Sequence, residues 1–246
     1  MPYAERAVSL LVFQQVLGAL VADRAFCAAV RKNPTLALVG HDLSAREIRR
    51  LAAMANAHGM AASGTLYRLN RYTPLRRCLP RTLATLGTIL PGLLDEFWRA
   101  YPETRLQFEE EVQRFTTFVG AQIAAGTVIP QLAIDTLAFE AAACRLLFCV
   151  RDPAVSSEIR GGLSPFVAVV RLNMEPTAVF EGNADAGLSG EYYVVLDARG
   201  PELRATAVPE SVGRTLALAE AAVSVTDDAA IRSARAAGWL PDPASD

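Results

Sequence analysis

The sequence predicts an α+β chain, with an all-α helical domain over residues 1–158 followed by a small β-sheet-plus-helices domain over residues 159–246. Three observations carry this expectation. Apolar residues recur at helical spacing from Glu5 to about Val150. The stretch "RDPAVSSEIRGGLSP" then interrupts that period with Pro, Gly and Ser. Beyond it, short runs of β-branched and aromatic residues alternate with turn residues. At 246 residues and 52% hydrophobic, the chain can bury one large or two small cores.

The elements follow in order. "VSLLVFQQVLGALV" places Leu10, Phe13, Leu17 and Leu20 on one helical stripe. Asp23 is placed to cap "RAFCAAVRKN", which Asn33-Pro34 ends. Ser44-x-x-Glu47 is a capping box and opens a further helix. Pro74 fits the first turn of a helix through the arginine-rich segment, and Pro80 would kink it. "GLLDEFWRAYPE" and "LQFEEEVQRFTTFVGAQIAAG" are periodic helices, while "PQLAIDTLAFEAAACRLLFCV" is apolar nearly all round and reads as a central buried one. "FVAVVRL", "TAVF", "EYYVVLDA" and "ELRATAV" read as strands, the last two joined in a hairpin at Ala198-Arg199-Gly200. Two helices close the chain, "PESVGRTLALAEAAV" and "DDAAIRSARAAGWL", the second capped by Asp227-Asp228.

Composition argues against several function classes. The four cysteines, Cys27, Cys78, Cys144 and Cys149, form no CxxC, and with only His41 and His58 there is no ligand inventory for a metal site. They read as buried small apolar side chains. No GxSxG, GxGxxG or Walker loop occurs. Glu109-Glu110-Glu111, with Glu103 upstream, cannot converge on one ion because consecutive helical residues fan around the axis, so they read as a solvent-facing patch. Trp98 and Trp239 read as core or interface anchors. No catalytic residue is assigned, and no cofactor is expected in this chain. "SLLVFQQVLGALV" is too short and too polar to span a bilayer, and no basic apolar leader precedes it, which makes the expected location cytoplasmic without membrane attachment.

Two features remain as candidate surfaces. Between Glu47 and Asp95 there is no acid, whereas "LYRLNRYTPLRRCLPRTLATLG" alone carries five arginines. Leu75, Leu79, Leu83, Leu86 and Leu90 form its inward stripe, placing Arg77 and Arg81 on the opposite face with Arg76 on the flank. Either the face is solvated, with acids from elsewhere pairing some arginines, or it meets a partner. Arginine's planar fork, used here in place of lysine, favours recognition of carboxylates. A pI near 5.8 argues against nucleic acid and for an acidic protein surface. The second surface is a sheet edge. If "ELRATAV" is the outer strand, Leu203, Arg204, Ala205, Thr206, Ala207 and Val208 offer a ladder to an added peptide strand, with Ile231, Arg232 and Arg235 of the last helix walling the groove.

"LVADRAFCAAVRKNPTLALVGHDLSAREIRRL" and "LYRLNRYTPLRRCLPRTLATLG" together resemble the partner subunits that accompany the DUF692 family of multinuclear non-haem iron oxidases. The matching positions of the second segment are Arg71, Leu79, Pro80, Thr82, Leu86 and Gly87, and "FWRAYPE" and "EEEVQRFTTFV" follow in the family's order. "SGEYYVVLDARGPE" is an addition to the pattern. The resemblance implies a heterodimer in which the oxidase holds the iron. This chain then supplies a winged-helix-like recognition element for the leader of a ribosomally made precursor peptide. In that family a cysteine, or sometimes an aspartate, of the peptide is reworked. Outcomes include the oxazolone-thioamide of methanobactin and the β-carbon excision on the route to 3-thiaglutamate, where the cysteine is C-terminal. Tyr67, Arg68, Arg71, Arg76, Arg77 and Arg81 would then face the oxidase or the peptide.

A second resemblance, through Tyr67-Arg68-x-Asn70, is to a family often described as DNA-binding. It implies a winged helix with Arg204, Arg232 and Arg235 on phosphate.

Overall fold

The computed structural model of the protein describes residues 2–102, 108–151, 162–164, 166–183 and 187–241. The chain is mixed α+β, mostly helical with one three-stranded antiparallel sheet. Two compact units form, one from Met1–Pro74 with Thr88–Glu111 and the other from Leu75–Gly87 with Val112–Asp246. The expected boundary at residue 158, most of the Pro/Gly/Ser joint, Glu103 and the Cys149 side chain lie outside the described residues. Among the described residues, no single helix is long and apolar enough to cross a membrane.

In the first unit, local chemistry sets the helix ends. α1 (Pro2–Ala22) stops at Asp23, whose side chain accepts from the amides of Ala25 and Phe26 and so starts α2 (Arg24–Lys32). Asn33 caps the short α3 (Pro34–Ala37). The capping box of Ser44 and Glu47 opens α4 (Ala45–Asn56), and Arg31 Nε donates to the Ala55 carbonyl near its other end. Val16, Leu20, Val30, Leu38, Leu51 and Ala55 are fully buried together. The buried face of α1 centres on Val16 and Leu20, so Leu10, expected on the stripe, lies outside it at 56% exposure.

The arginine-rich segment departs from expectation. Pro74 does not begin a helix; it sits inside α5 (His58–Cys78), where it removes one main-chain donor at the point dividing the two units. Pro80 is the residue that begins one, as N1 of α6 (Pro80–Leu86). A 3-10 turn (Gly87–Ile89) leads to α7 (Leu90–Ala100), and α8 (Phe108–Ala124) follows.

The second unit is built on α9 (Gln131–Arg151), which packs against α6 and against β1 (Val167–Met174). β1 pairs antiparallel with β2 (Ser189–Asp197), and β2 with β3 (Arg204–Val208). "TAVF", expected as a strand, is the middle of α10 (Pro176–Glu181); Pro176 at its first position and Gly182 in the left-handed conformation after its end are helix boundaries in so short an apolar run. α11 (Glu210–Glu220) and α12 (Asp228–Ala236) close the fold, with Asp227 capping α12.

Helices cover both sheet faces. Ala168, Val170, Leu172, Val194 and Leu196 cluster with Leu132, Phe139 and Leu146 of α9 and with Ala178 and Val179 of α10. Val167 and Val195 cluster with Val212 and Leu216 of α11 and Ala230 and Ala234 of α12. The runs "VAVV" and "YYVVL" are apolar at both parities, which is the pattern of strands buried on both sides. Register slips by one between the pairs Leu172–Tyr192 and Met174–Ser189. The buried Asp135 carboxylate of α9 accepts the amides of Asn173 and Met174 at that irregularity, each at 2.7 Å.

α11 lies so close to β2 that a Cβ added at Gly213 would fall 2.1 Å from Cγ and 2.2 Å from Cβ of Tyr193. These atoms sit at the root of the side chain and cannot swing aside. Gly213→Ala is therefore expected to lower stability by about 1–3 kcal/mol in urea unfolding, despite alanine's better helix propensity.

Candidate functional site

β3 is one of the two outer strands of the order β1-β2-β3, and its residues Arg204 to Ala207 are all exposed. Its inner ladder runs from Tyr193–Val208 to Asp197–Arg204. Alternation sends Leu203 to the α9–α10 face, where it packs half-buried, and Val208 to the α11–α12 face. Ala205 and Ala207 follow Leu203, while Arg204 and Thr206 follow Val208. The side chains on the Leu203 parity, Ala205 and Ala207, are small and exposed.

The hairpin leading into this edge is held by Arg199. Its Nε and Nη2 donate to the two oxygens of Asp197 at 2.9 and 2.5 Å, and its amide donates to the same carboxylate at 3.0 Å. The guanidinium also reaches the carbonyls of Ala237 and Gly238 just past α12. The Arg199 hydrogen bond holds the Asp197 carboxyl below its ordinary range, and the same pairing raises Arg199. Asp197, Arg199, Gly200 and Arg204 line an open hollow of about 310 Å³ at this end of the strand. With Asp197 paired to Arg199, the hollow presents Arg204 as its further charge.

On α12, Ala230 and Ala234 point inward into the cluster that includes Val208, Ile231 is half-buried, and Arg232 and Arg235 are exposed. The helix is thus on the same sheet face as Arg204 and Thr206.

The cationic segment splits into two groups. Arg71, expected at an interface, is fully buried. Its Nε donates to Glu111 at 2.7 Å, its Nη1 donates to the Tyr67 hydroxyl and to the Tyr101 carbonyl, and its plane lies over Phe97 at 4.9 Å. Tyr67 passes a hydrogen bond on to the Pro102 carbonyl, and burial raises its phenol. Arg68 pairs with Asp95 at 2.8 Å and lies over Trp98. Tyr67, Arg68 and Arg71 therefore organise the interior of the first unit. Glu111 corrects the reading of a solvent-facing glutamate run, because its carboxylate is the counter-charge of Arg71. The acid-free window is supplied with acids from later in the chain.

Arg76, Arg77 and Arg81 are exposed, opposite the buried Leu75, Leu79, Leu83 and Leu86. Beneath them, Glu140 of α9 accepts the amides of Arg81 and Thr82 and the Thr82 hydroxyl at 2.9–3.0 Å. It replaces the side-chain cap that Leu79 lacks and places a negative charge at the positive end of α6. Asp135 and Glu140 escaped the sequence reading; the available signal was a carboxylate inside an apolar helix, which demands donors. Cys78 and Cys144, also unremarked there as a pair, come together at the end of α5. Among the described residues, no group of three or more His, Cys, Asp or Glu is arranged to hold a metal ion.

No protein-family model matches this chain, and no curated protein matches it either.

Two outcomes follow from the geometry. Glu111→Ala leaves the Arg71 guanidinium buried without its counter-charge and is expected to cost about 3–5 kcal/mol in urea unfolding. Because the Asp197 pKa is depressed by folding, its contribution is present above the unfolded carboxylate value of about 3.9 and is lost as pH falls below it. Amide exchange should therefore show the β2–β3 hairpin keeping its protection from neutral pH down to that range and losing it on further acidification, whereas in Asp197→Asn protection is reduced throughout.

Proposed function

We propose that this chain is a non-catalytic partner subunit that binds the leader of a ribosomally made precursor peptide and presents the peptide's cysteine to a multinuclear iron oxidase of the DUF692 kind. The iron belongs to the oxidase, and the C-terminal cysteine of the 3-thiaglutamate type, with β-carbon excision, is the expected chemistry. The observation that carries this reading is the edge of β3, an outer strand exposed from Arg204 to Ala207 and anchored by the Arg199–Asp197 clamp. An added peptide strand takes its affinity from main-chain hydrogen bonds there and its selectivity from flanking side chains. Arg204 and the α12 residues Ile231, Arg232 and Arg235 are the flanking set, in the manner of a winged-helix-like recognition element.

The resemblance of the arginine-rich segment to the partner-subunit pattern supports docking on the oxidase. Burial reduces the docking set to Arg76, Arg77 and Arg81, since Arg71 and its neighbours are engaged inside the first unit. Three exposed guanidinium groups on adjacent turns suit an acidic protein surface.

Mixing the chain with a DUF692-type oxidase and its precursor peptide is expected to yield a co-eluting complex on size exclusion, with amide exchange slowed in β3. Changing Arg76, Arg77 and Arg81 to Glu should weaken docking by about tenfold or more and leave β3 protection by the peptide unchanged. Absence of any complex sinks the reading, and unchanged affinity removes the arginine assignment alone. Tight binding to duplex DNA that falls steeply with salt would support the DNA-binding alternative instead.

A further inference from the structure

Cys78 is the last residue of α5, immediately before the Leu79-Pro80 break, and is half-buried. Cys144 lies on α9, one turn beyond Glu140, and is buried. Its thiol sits 3.2 Å from the carbonyl oxygen of Cys78. Cys144 donates its single hydrogen to that carbonyl. Both residues belong to the second unit.

We propose that Cys78 and Cys144 form a reversible disulfide, with Cys78 the peroxide-reactive thiol and Cys144 the resolving one, clamping the end of α5 to α9 beside Arg76, Arg77 and Arg81. With the Cys144 sulfur already held at the Cys78 main chain, a sulfur–sulfur bond of about 2.0 Å needs side-chain rotation and a small main-chain adjustment. The two sites are unequal in the way such a pair requires. The neighbouring Cys144 side chain, aided by the Arg77 charge, lowers the Cys78 thiol despite burial and the nearby Glu140; the Cys78 side chain, with burial, raises Cys144. A half-exposed thiol of lowered pKa beside a resolving thiol is the arrangement of a redox-responsive pair.

The chemistry balances with hydrogen peroxide as the oxidant. The Cys78 thiolate attacks one peroxide oxygen and breaks the O–O bond, giving a sulfenic acid and hydroxide, which takes up a proton as water. Cys144 then attacks the Cys78 sulfur; its proton leaves with the displaced hydroxyl as a second water. Two thiols lose two electrons and peroxide gains them. The bridge would close a loop whose ends are 66 residues apart in the chain, adding a covalent tie where Glu140 already holds the start of α6. Neither the peptide nor the oxidase enters this argument, so the inference stands or falls separately from the proposed function.

The test uses the full-length reduced chain, treated with hydrogen peroxide under native conditions, blocked with N-ethylmaleimide and mapped by mass spectrometry without reduction. The expected result is a loss of two hydrogens in mass, a crosslinked peptide containing Cys78 and Cys144, a raised Tm, and reversal of all three by dithiothreitol. In Cys144→Ser, a Cys78 sulfenic acid should accumulate and be trapped by dimedone to a level well above wild type. Wild-type chain in which Cys78 is oxidised to sulfinic acid without a crosslink, pairs with Cys149, or stays reduced while free thiol controls oxidise would overturn the proposal. The wild-type map decides this even if the serine variant fails to fold.

Discussion

Glu140 lies within an apolar helix and has its carboxylate directed at the first turn of α6, where it accepts two main-chain amides and one hydroxyl. A buried carboxylate without donors would cost several kcal/mol, and the first amides of a helix need acceptors. Each requirement meets the other, so the junction of α5, α6 and α9 is held by mutual need. Asp135, on the same helix, does the equivalent for β1 by accepting the amides of Asn173 and Met174 where the strand register slips. α9 thus secures both a helix start and a strand irregularity while its leucines and phenylalanine fill the core between them. The second unit is organised around that helix.

With both faces of the sheet covered, the exposed part is its edge. The two edges are β1 and β3; β1 packs against α9 and is mostly buried, whereas Arg204 to Ala207 of β3 are all exposed. The Asp197–Arg199 clamp ties the hairpin to the end of α12, so the edge is presented by an anchored loop. An edge of this kind is a liability for aggregation unless it is short or charged. β3 has only five residues and carries Arg204 at one end, with Pro209 beyond the other. Those features limit indiscriminate pairing while leaving room for a single extended segment.

The arginines show why residue type does not by itself define a surface. Arg71 and Arg76 are five positions apart in one helix, yet the first is fully buried and the second exposed. Arg71 is accommodated because Glu111 supplies charge, Tyr67 and Tyr101 supply acceptors, and Phe97 and Tyr67 supply flat faces for the guanidinium. Arg76 has the opposite side of the leucine stripe and therefore solvent.

Local chemistry determined much of this protein in advance. The caps at Asp23, Ser44 and Asp227, the helical periodicity of the first 150 residues, and the hairpin from Glu191 to Val208 all rest on neighbours within a few positions, and they are legible without a structure. Where local signals competed, the reading failed: Pro74 and Pro80 exchanged roles, and "TAVF" was too short an apolar run to separate strand from helix. The fate of Arg68 and Arg71 depended on acids 27 and 40 residues away, and the meeting of Cys78 with Cys144 on helices 66 residues apart. Periodicity specifies which face of an element turns inward, but what waits on the other side is chosen only when distant elements pack. Tertiary structure alone therefore decided which charges are buried, which edge strand stays exposed, and which cysteines meet.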